Sequence, residues 1–312
     1  MINRIATETL PPDVPAFVRS AAAVDEIEAL GPEEDILKDA GQSWDDDNDP
    51  GHYLDVGDDG SAYGVSLDAL PKDLKAYARA LAAADKDPYS AGYLPYSIID
   101  GYEQVRKDFA VWRVDEYGAR TATDPGLRAA FAASLQLRQV LTLRDIGVFG
   151  HFTGDGSQPL HVTIHYNGWG DYPNPNGYST SRRLHAFFES AFVQKYARAA
   201  AVRALVKPYA LTTPAALLTQ QQIAALVGAY LRETSARVIP LYQIEAAHGF
   251  EDGSPAAVAF VDAQLARGAS MLRDITALAW EDSLNAPVGY PAVIVRDVIS
   301  GTSPAPPPAG SD

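Results

Sequence analysis

The 312-residue sequence contains no cysteine. That absence excludes disulfides, thiolate metal sites and cysteine nucleophiles, while leaving the redox compartment open. Any zinc must then be held by imidazole and carboxylate, and only six histidines are available. Basic residues are also scarce: 25 Lys and Arg stand against 40 Asp and Glu, a formal net charge of −15. Proteins that grip duplex DNA through many phosphates carry a basic stripe, and none is visible, so tight non-specific duplex binding is not expected. The acidity still admits a phosphate substrate, because bound divalent ions add local positive charge that the formal count omits. No apolar run approaches the ~20 residues of a membrane span, and Met1-Ile2-Asn3-Arg4-Ile5-Ala6 lacks the pattern of a secretion signal. Strand-like alternation is rare and there is no internal repeat.

What is present is helical. Apolar residues make up 47 %, enough for a full core without staples. Residues 1–30 predict a short helix, a Pro-rich break and an amphipathic stretch through Val24, Ile27 and Leu30; residues 31–72 read as loop, including the acidic run Asp45 to Asp49. That run lacks the central Gly and closing Glu of an EF-hand, so it reads as a solvated loop. Helical spacing returns over 73–85 and 98–114, with a break at 88–95. A long helix is expected over 127–152, with Asp124 as N-cap and Pro125 in the first turn. Residues 165–180 form a Gly/Asn/Pro-rich loop, followed by helices over 181–206, 218–247 and 255–284, with a kink at Pro240. The reading is all-α, one domain over residues 1–300 and a disordered Pro/Ala/Gly/Ser tail over 301–312.

The chemistry concentrates in two strings. His151 and Asp155 are four apart, so a continuous helix projects both from one face. Gly156 can end that helix, and Pro159 suits the start of the next turn, which carries His161. His185 and Glu189 repeat the four-residue spacing. A single such pair usually lies on a solvated helix surface. Two pairs and a third histidine, drawn from six and flanked by apolar residues, point instead to a polynuclear imidazole–carboxylate centre of a kind helix bundles build.

These residues resemble a family. Gly154-Asp155-x-x-Gln158-Pro159-Leu160-His161, preceded by His151 and followed by Leu184-His185-x-x-x-Glu189, is similar to the superfamily of zinc single-strand nucleases (the fungal S-one and P-one type) and zinc-dependent phospholipase C. The likeness extends to Ile5-Ala6 through Leu10-Pro11, to Gly31-Pro32-Glu33-x-Asp35, to His52-Tyr53-Leu54-Asp55 and to the C-terminal helices. It implies the all-helical fold of that superfamily and up to three zinc ions. One zinc would be held by Asp35, His52, His151 and Asp155, and a second by His161, His185 and Glu189. A third would share Asp155. Asp55 matches an acid that orients the attacking water, and Lys38 stands where nuclease members often have an arginine on the phosphoryl group.

The implied activity is hydrolysis of phosphodiester bonds in single-stranded nucleic acid or nucleotides. Glu189 is the phospholipase choice and the long gap from His161 to His185 is nuclease-like, so cleavage of phospholipid head groups stays open beside it. A non-catalytic helical remnant is the third reading, because family members open on Trp and His ligands for the third zinc. Here no histidine precedes His52 and no tryptophan precedes Trp44. Met1 is therefore expected to be an internal methionine, with the upstream frame encoding those ligands and the signal peptide of a secreted or periplasmic protein. Of the remaining candidates, His165 is expected to face solvent from its loop, the alternative being a hydrogen-bond donor to a metal ligand. His248 is read as a charge partner at a helix end, and Trp169, Tyr172 and Tyr178 as packing for the central loop.

Overall fold

The computed structural model describes residues 1–38, 41–210 and 212–308. Helices carry the fold, and among the described residues the strands amount to two antiparallel pairs of two-residue strands, Ser61–Ala62 with Val65–Ser66 and Pro287–Val288 with Val293–Ile294. The frame is a hairpin of two long helices, Leu94–Thr121 and Pro125–Asp155, packed against each other and against helix Pro255–Asp282. No helix among the described residues is long and apolar enough to cross a membrane.

Local chemistry explains the hairpin. The Asp124 carboxylate accepts from Leu127 N at 2.6 Å, satisfying a free donor of the first turn, and Pro125 occupies the position where a missing N–H costs nothing. The same rule moves the start of the preceding helix. Pro95 was expected to lie in a break, yet it sits in the first turn of a helix that opens at Leu94, four residues early.

Other departures have equally local causes. The acidic run is not a loop: Asp45–Asn48 is a helical turn followed by the 3-10 turn Asp49–His52, with carboxylates at the N-terminal end that their charge favours. The segment 218–247 is two helices, Gln220–Ser235 and Val238–Ala246, rather than one kinked helix. Pro240 would clash with the carbonyl four residues back, and the chain breaks at Ala236–Arg237 so that Pro240 falls in a first turn. The segment 181–206 divides further, and its middle, Phe187–Phe192, widens into a π-helix.

The main core runs beneath these helices through Ile5, Tyr77, Tyr102, Phe109, Phe149 and Leu231. A second cluster, including Trp169, Tyr178, Phe188, Phe192 and Tyr242, packs the central loop against the later helices. A third lies where Val288, Val295 and Val298 meet Val114 and Phe131. Thr302 and Ser303 hydrogen-bond to Asp297 O at 2.9 and 3.0 Å, and residues 309–312 of the expected tail lie outside the described residues.

One buried polar residue ties the first helix to this frame. Asn3 Nδ2 donates to Ile27 O at 2.8 Å and to Gly147 O at 2.9 Å. A Cβ on Gly150 would stand 2.0 Å from Asn3 Oδ1, so only glycine admits the amide there. Asn3→Ala removes both hydrogen bonds and leaves Ile27 O at its helix end without this donor, and should cost about 1–3 kcal/mol. Urea unfolding is expected to show a lower midpoint with unchanged slope, and an unmoved midpoint would show that the amide ties nothing.

Candidate metal centre

All seven sequence-derived ligands converge. His151 and Asp155 occupy the last two turns of the 125–155 helix, where Gly156 ends it. His52 closes the 3-10 turn Asp49–His52, and Asp35 comes from the short helix Glu33–Leu37 packed on the 125–155 helix. His161 ends the 3-10 turn Pro159–His161. His185 stands in the helical turn Leu184–Ala186, and Glu189 in the π-helix that continues it.

Extended backbone joins the pieces. Leu54 N donates to His161 O at 2.8 Å, Asp55 N to Ala91 O at 2.9 Å and Ile164 N to Val56 O at 3.0 Å. Gly92, at φ +78°, lets this segment approach, since a Cβ there would meet Tyr53 O at 2.2 Å.

Two donor groups result: Asp35, His52 and His151, and His161, His185 and Glu189, with the ligand atoms of each group lying within 4.8 Å of one another. Within the first group, His52 Nδ1 is 2.9 Å from His151 Nε2 and 3.0 Å from Asp155 Oδ2, and His151 Nε2 is 3.3 Å from the same oxygen. Asp35 Oδ1 is 3.5 Å from His151 Nε2. In the second, Glu189 Oε2 lies 3.2 Å from His161 Nε2 and 3.1 Å from His185 Nε2. Asp155 Oδ1 reaches the second group, 3.6 Å from His161 Nδ1.

These spacings suit a cation. Donors about 2.0–2.1 Å from one tetrahedral ion stand ~3.3 Å from each other. The tautomers agree: Nδ1–H of His151 donates to Gly31 O at 2.8 Å, that of His161 to His52 O at 2.7 Å and that of His185 to Tyr166 O at 3.1 Å. A carbonyl only accepts, so each Nδ1 carries the proton and each Nε2 lone pair faces the centre, the usual outer arrangement of metal-bound histidine. Gln158 adds to it, accepting from Leu160 N at 2.7 Å and donating to Glu189 Oε2 at 3.2 Å. The residues form two groups that could hold a metal ion.

Without an ion the charges balance through protons. Burial opposes charge on His151, but Asp155 and Asp35 outweigh it and push its pKa up to about 9. His161 is raised for the same reason, by Asp155 and Glu189 against the cost of burial. Burial works against ionised Asp155 and Glu189 as well, yet the facing imidazoles hold both carboxyls well below their usual range. Burial pushes Asp55 up to about 6, with Lys86 drawing it down. Lys38 Nζ pairs with Asp35 Oδ1 at 3.0 Å.

A cleft of about 240 Å³ opens on the centre, lined by Lys38, Tyr53, Asp55 and Tyr166 together with His52, His161, His185 and Glu189. Asp35 and His151 do not line it. Sequence reasoning did not assign roles to the Gly31, His52 and Tyr166 carbonyls, to the Gln158 bridge or to the Tyr53 and Tyr166 rings. Backbone acceptors leave no residue-type signal, although Gln158 stood inside the quoted motif.

His165 corrects an expectation. It is buried rather than facing solvent, stacks on Trp169 at 3.7 Å, and spends both nitrogens, on Trp169 O at 3.0 Å and Asp58 Oδ1 at 2.9 Å. Neither nitrogen meets one of the seven metal-ligand candidates. Trp169 and Tyr178 are buried in the loop they pack, while Tyr172 is exposed. His248 is exposed and pairs with Glu251 at 2.7 Å. Comparisons with known proteins match nothing to this chain: no family model, no curated protein and no solved structure.

An ion entering the first group must displace the proton that His151 holds to about pH 9. Affinity should therefore rise with pH up to that point, with proton release on binding. Calorimetric Zn²⁺ titration in buffers of different ionisation enthalpy measures both, and an affinity unchanged between about pH 6 and pH 9 would contradict the assignment.

Proposed function

We propose that the chain is a zinc-dependent phosphodiesterase acting on single-stranded nucleic acid or nucleotides. The observation that carries this reading is the pair of imidazole–carboxylate groups, with Asp155 in contact with both and a cleft lined by His52 of one and by His161, His185 and Glu189 of the other. Nitrogen and carboxylate donors at tetrahedral spacing suit zinc. One ion would be held by Asp35, His52, His151 and Asp155, the other by His161, His185 and Glu189. Zinc bound there supplies a water nucleophile at neutral pH and neutralises charge on the phosphoryl oxygens.

The chain's own residues then do the rest. Asp55 lines the cleft as a half-buried carboxyl whose pKa of about 6 suits it to orient water and accept its proton. Bound cations draw that value down, so the acid limb of activity falls at or below about 6. Lys38 offers a point charge to a phosphate oxygen without the bidentate fork of arginine. Its pairing with Asp35 sets where that charge sits. Tyr53 and Tyr166 place aromatic rings in the cleft wall, and rings stack on bases of any sequence. The same rings would attract a choline head group by cation–π contact, so the substrate assay decides between nucleotide and phospholipid.

Hydrolysis of RNA and single-stranded DNA, measured beside a phosphocholine ester after zinc loading, tests the reading. Cleavage of the nucleic acids is expected, and turnover of the ester alone would sink it. Asp55→Asn should lower kcat about 10²–10⁴-fold while zinc content is unchanged. Equal loss of zinc and activity would make Asp55 a structural group instead.

A further inference from the structure

A second cleft, of about 490 Å³, lies between the helices Ala199–Leu205, Gln220–Ser235, Val238–Ala246 and Pro255–Asp282. It shares no lining residue with the metal-centre cleft. Its walls are apolar at Leu205, Tyr230, Phe260 and Met271. Its charges are unusual for a chain of net charge −15: Lys207, Arg237 and Arg267 against Glu233 and Asp274.

The carboxylates are already engaged. Glu233 Oε2 accepts from Arg267 Nη1 at 2.6 Å, and Asp274 Oδ1 accepts from Arg273 Nε at 2.7 Å. Among the described residues, the Lys207 ammonium and the Arg237 guanidinium have no hydrogen-bond or ion-pair partner. One buried donor in the wall is also unsatisfied: Arg267 Nε finds no partner. A buried amide or guanidinium nitrogen left unpaired costs about 1–3 kcal/mol, so such groups normally mark a missing partner.

We infer that this cleft binds a small organic anion with an apolar body, of the class of medium-chain carboxylates. The volume suits such a ligand. The free cations Lys207 and Arg237 match its head, and the Tyr230, Phe260 and Met271 walls match its chain. A purely inorganic anion would leave the apolar walls wet, and a neutral lipid would leave the cations unused. The site stands independently of the phosphodiesterase reading.

Decanoate, with decanol and acetate as comparators, is the probe for isothermal titration of the full chain. Saturable one-to-one binding of decanoate is expected, with both comparators about tenfold weaker or more. The exposed double variant Lys207→Gln/Arg237→Gln should weaken decanoate about tenfold without moving the unfolding midpoint. Ala263→Trp, filling the cleft, should abolish binding. No saturable binding by the wild-type chain, or decanoate affinity unchanged in the charge variant, would overturn the proposal; equal affinity for decanol would reduce the site to an apolar hollow and overturn it as well.

Discussion

Asp155 is only 13 % exposed at its side chain, with ring nitrogens of His52, His151 and His161 at 3.0, 3.3 and 3.6 Å from its oxygens. A carboxylate so placed has lost most of its hydration and needs opposite charge nearby. That requirement draws in His52 and His161 from segments distant in sequence. The imidazoles in turn need acceptors for Nδ1–H, and they take carbonyls at Gly31, His52 and Tyr166. Those bonds fix three otherwise irregular stretches. The loop-rich first third of the chain is held in shape by the centre it helps to build.

The parts of this site that depend on helical periodicity were legible. His151 with Asp155 and His185 with Glu189 are four apart, and helix geometry alone predicts that each pair shares a face. Asp124 and Pro125 announced the helix start through capping chemistry, and Gly156 its end. Asp35 and His52 carried no such periodicity, and only a resemblance drew them in. Their placement depends on long-range backbone pairing, such as Leu54 with His161, which no local pattern encodes. His165 was misread because loop composition suggested exposure, whereas the loop folds onto its own aromatic cluster through Trp169, Tyr178 and Tyr242. The π-helix at Phe187–Phe192 was equally invisible. An extra residue in that turn changes where side chains point, and Glu189 lies inside it, turned toward both His161 and His185.

An acidic surface around a centre proposed to act on phosphodiesters has a physical consequence. At physiological salt the Debye length is about 8 Å, so a distant polyanion senses little of the protein's charge. The formal net charge of −15 offers a polyanion no long-range attraction. Recognition in the proposed reading must come from contacts inside the cleft, with Lys38, the rings of Tyr53 and Tyr166 and any bound ions. Short or flexible strands that can enter such a cleft are then better partners than a stiff duplex, whose phosphates stay near the acidic surface.

The precision of the donors rests on how the end of the 125–155 helix is held. The last carbonyls of any helix lack intrahelical partners, and here Tyr230 Oη donates to Thr153 O at 2.7 Å and Thr234 Oγ1 to Gly156 O at 2.7 Å. Both donors come from the 220–235 helix, and Arg267 braces them, with Nη2 3.2 Å from Tyr230 O and 3.1 Å from Thr234 Oγ1. Thr153 and Gly156 bracket Asp155, so this clamp limits how far the carboxylate can shift between the two donor groups. Loop-mounted ligands would lack that restraint. The same Tyr230 and Arg267 form part of the second cleft, which makes the wall behind the metal donors also the wall of a cavity.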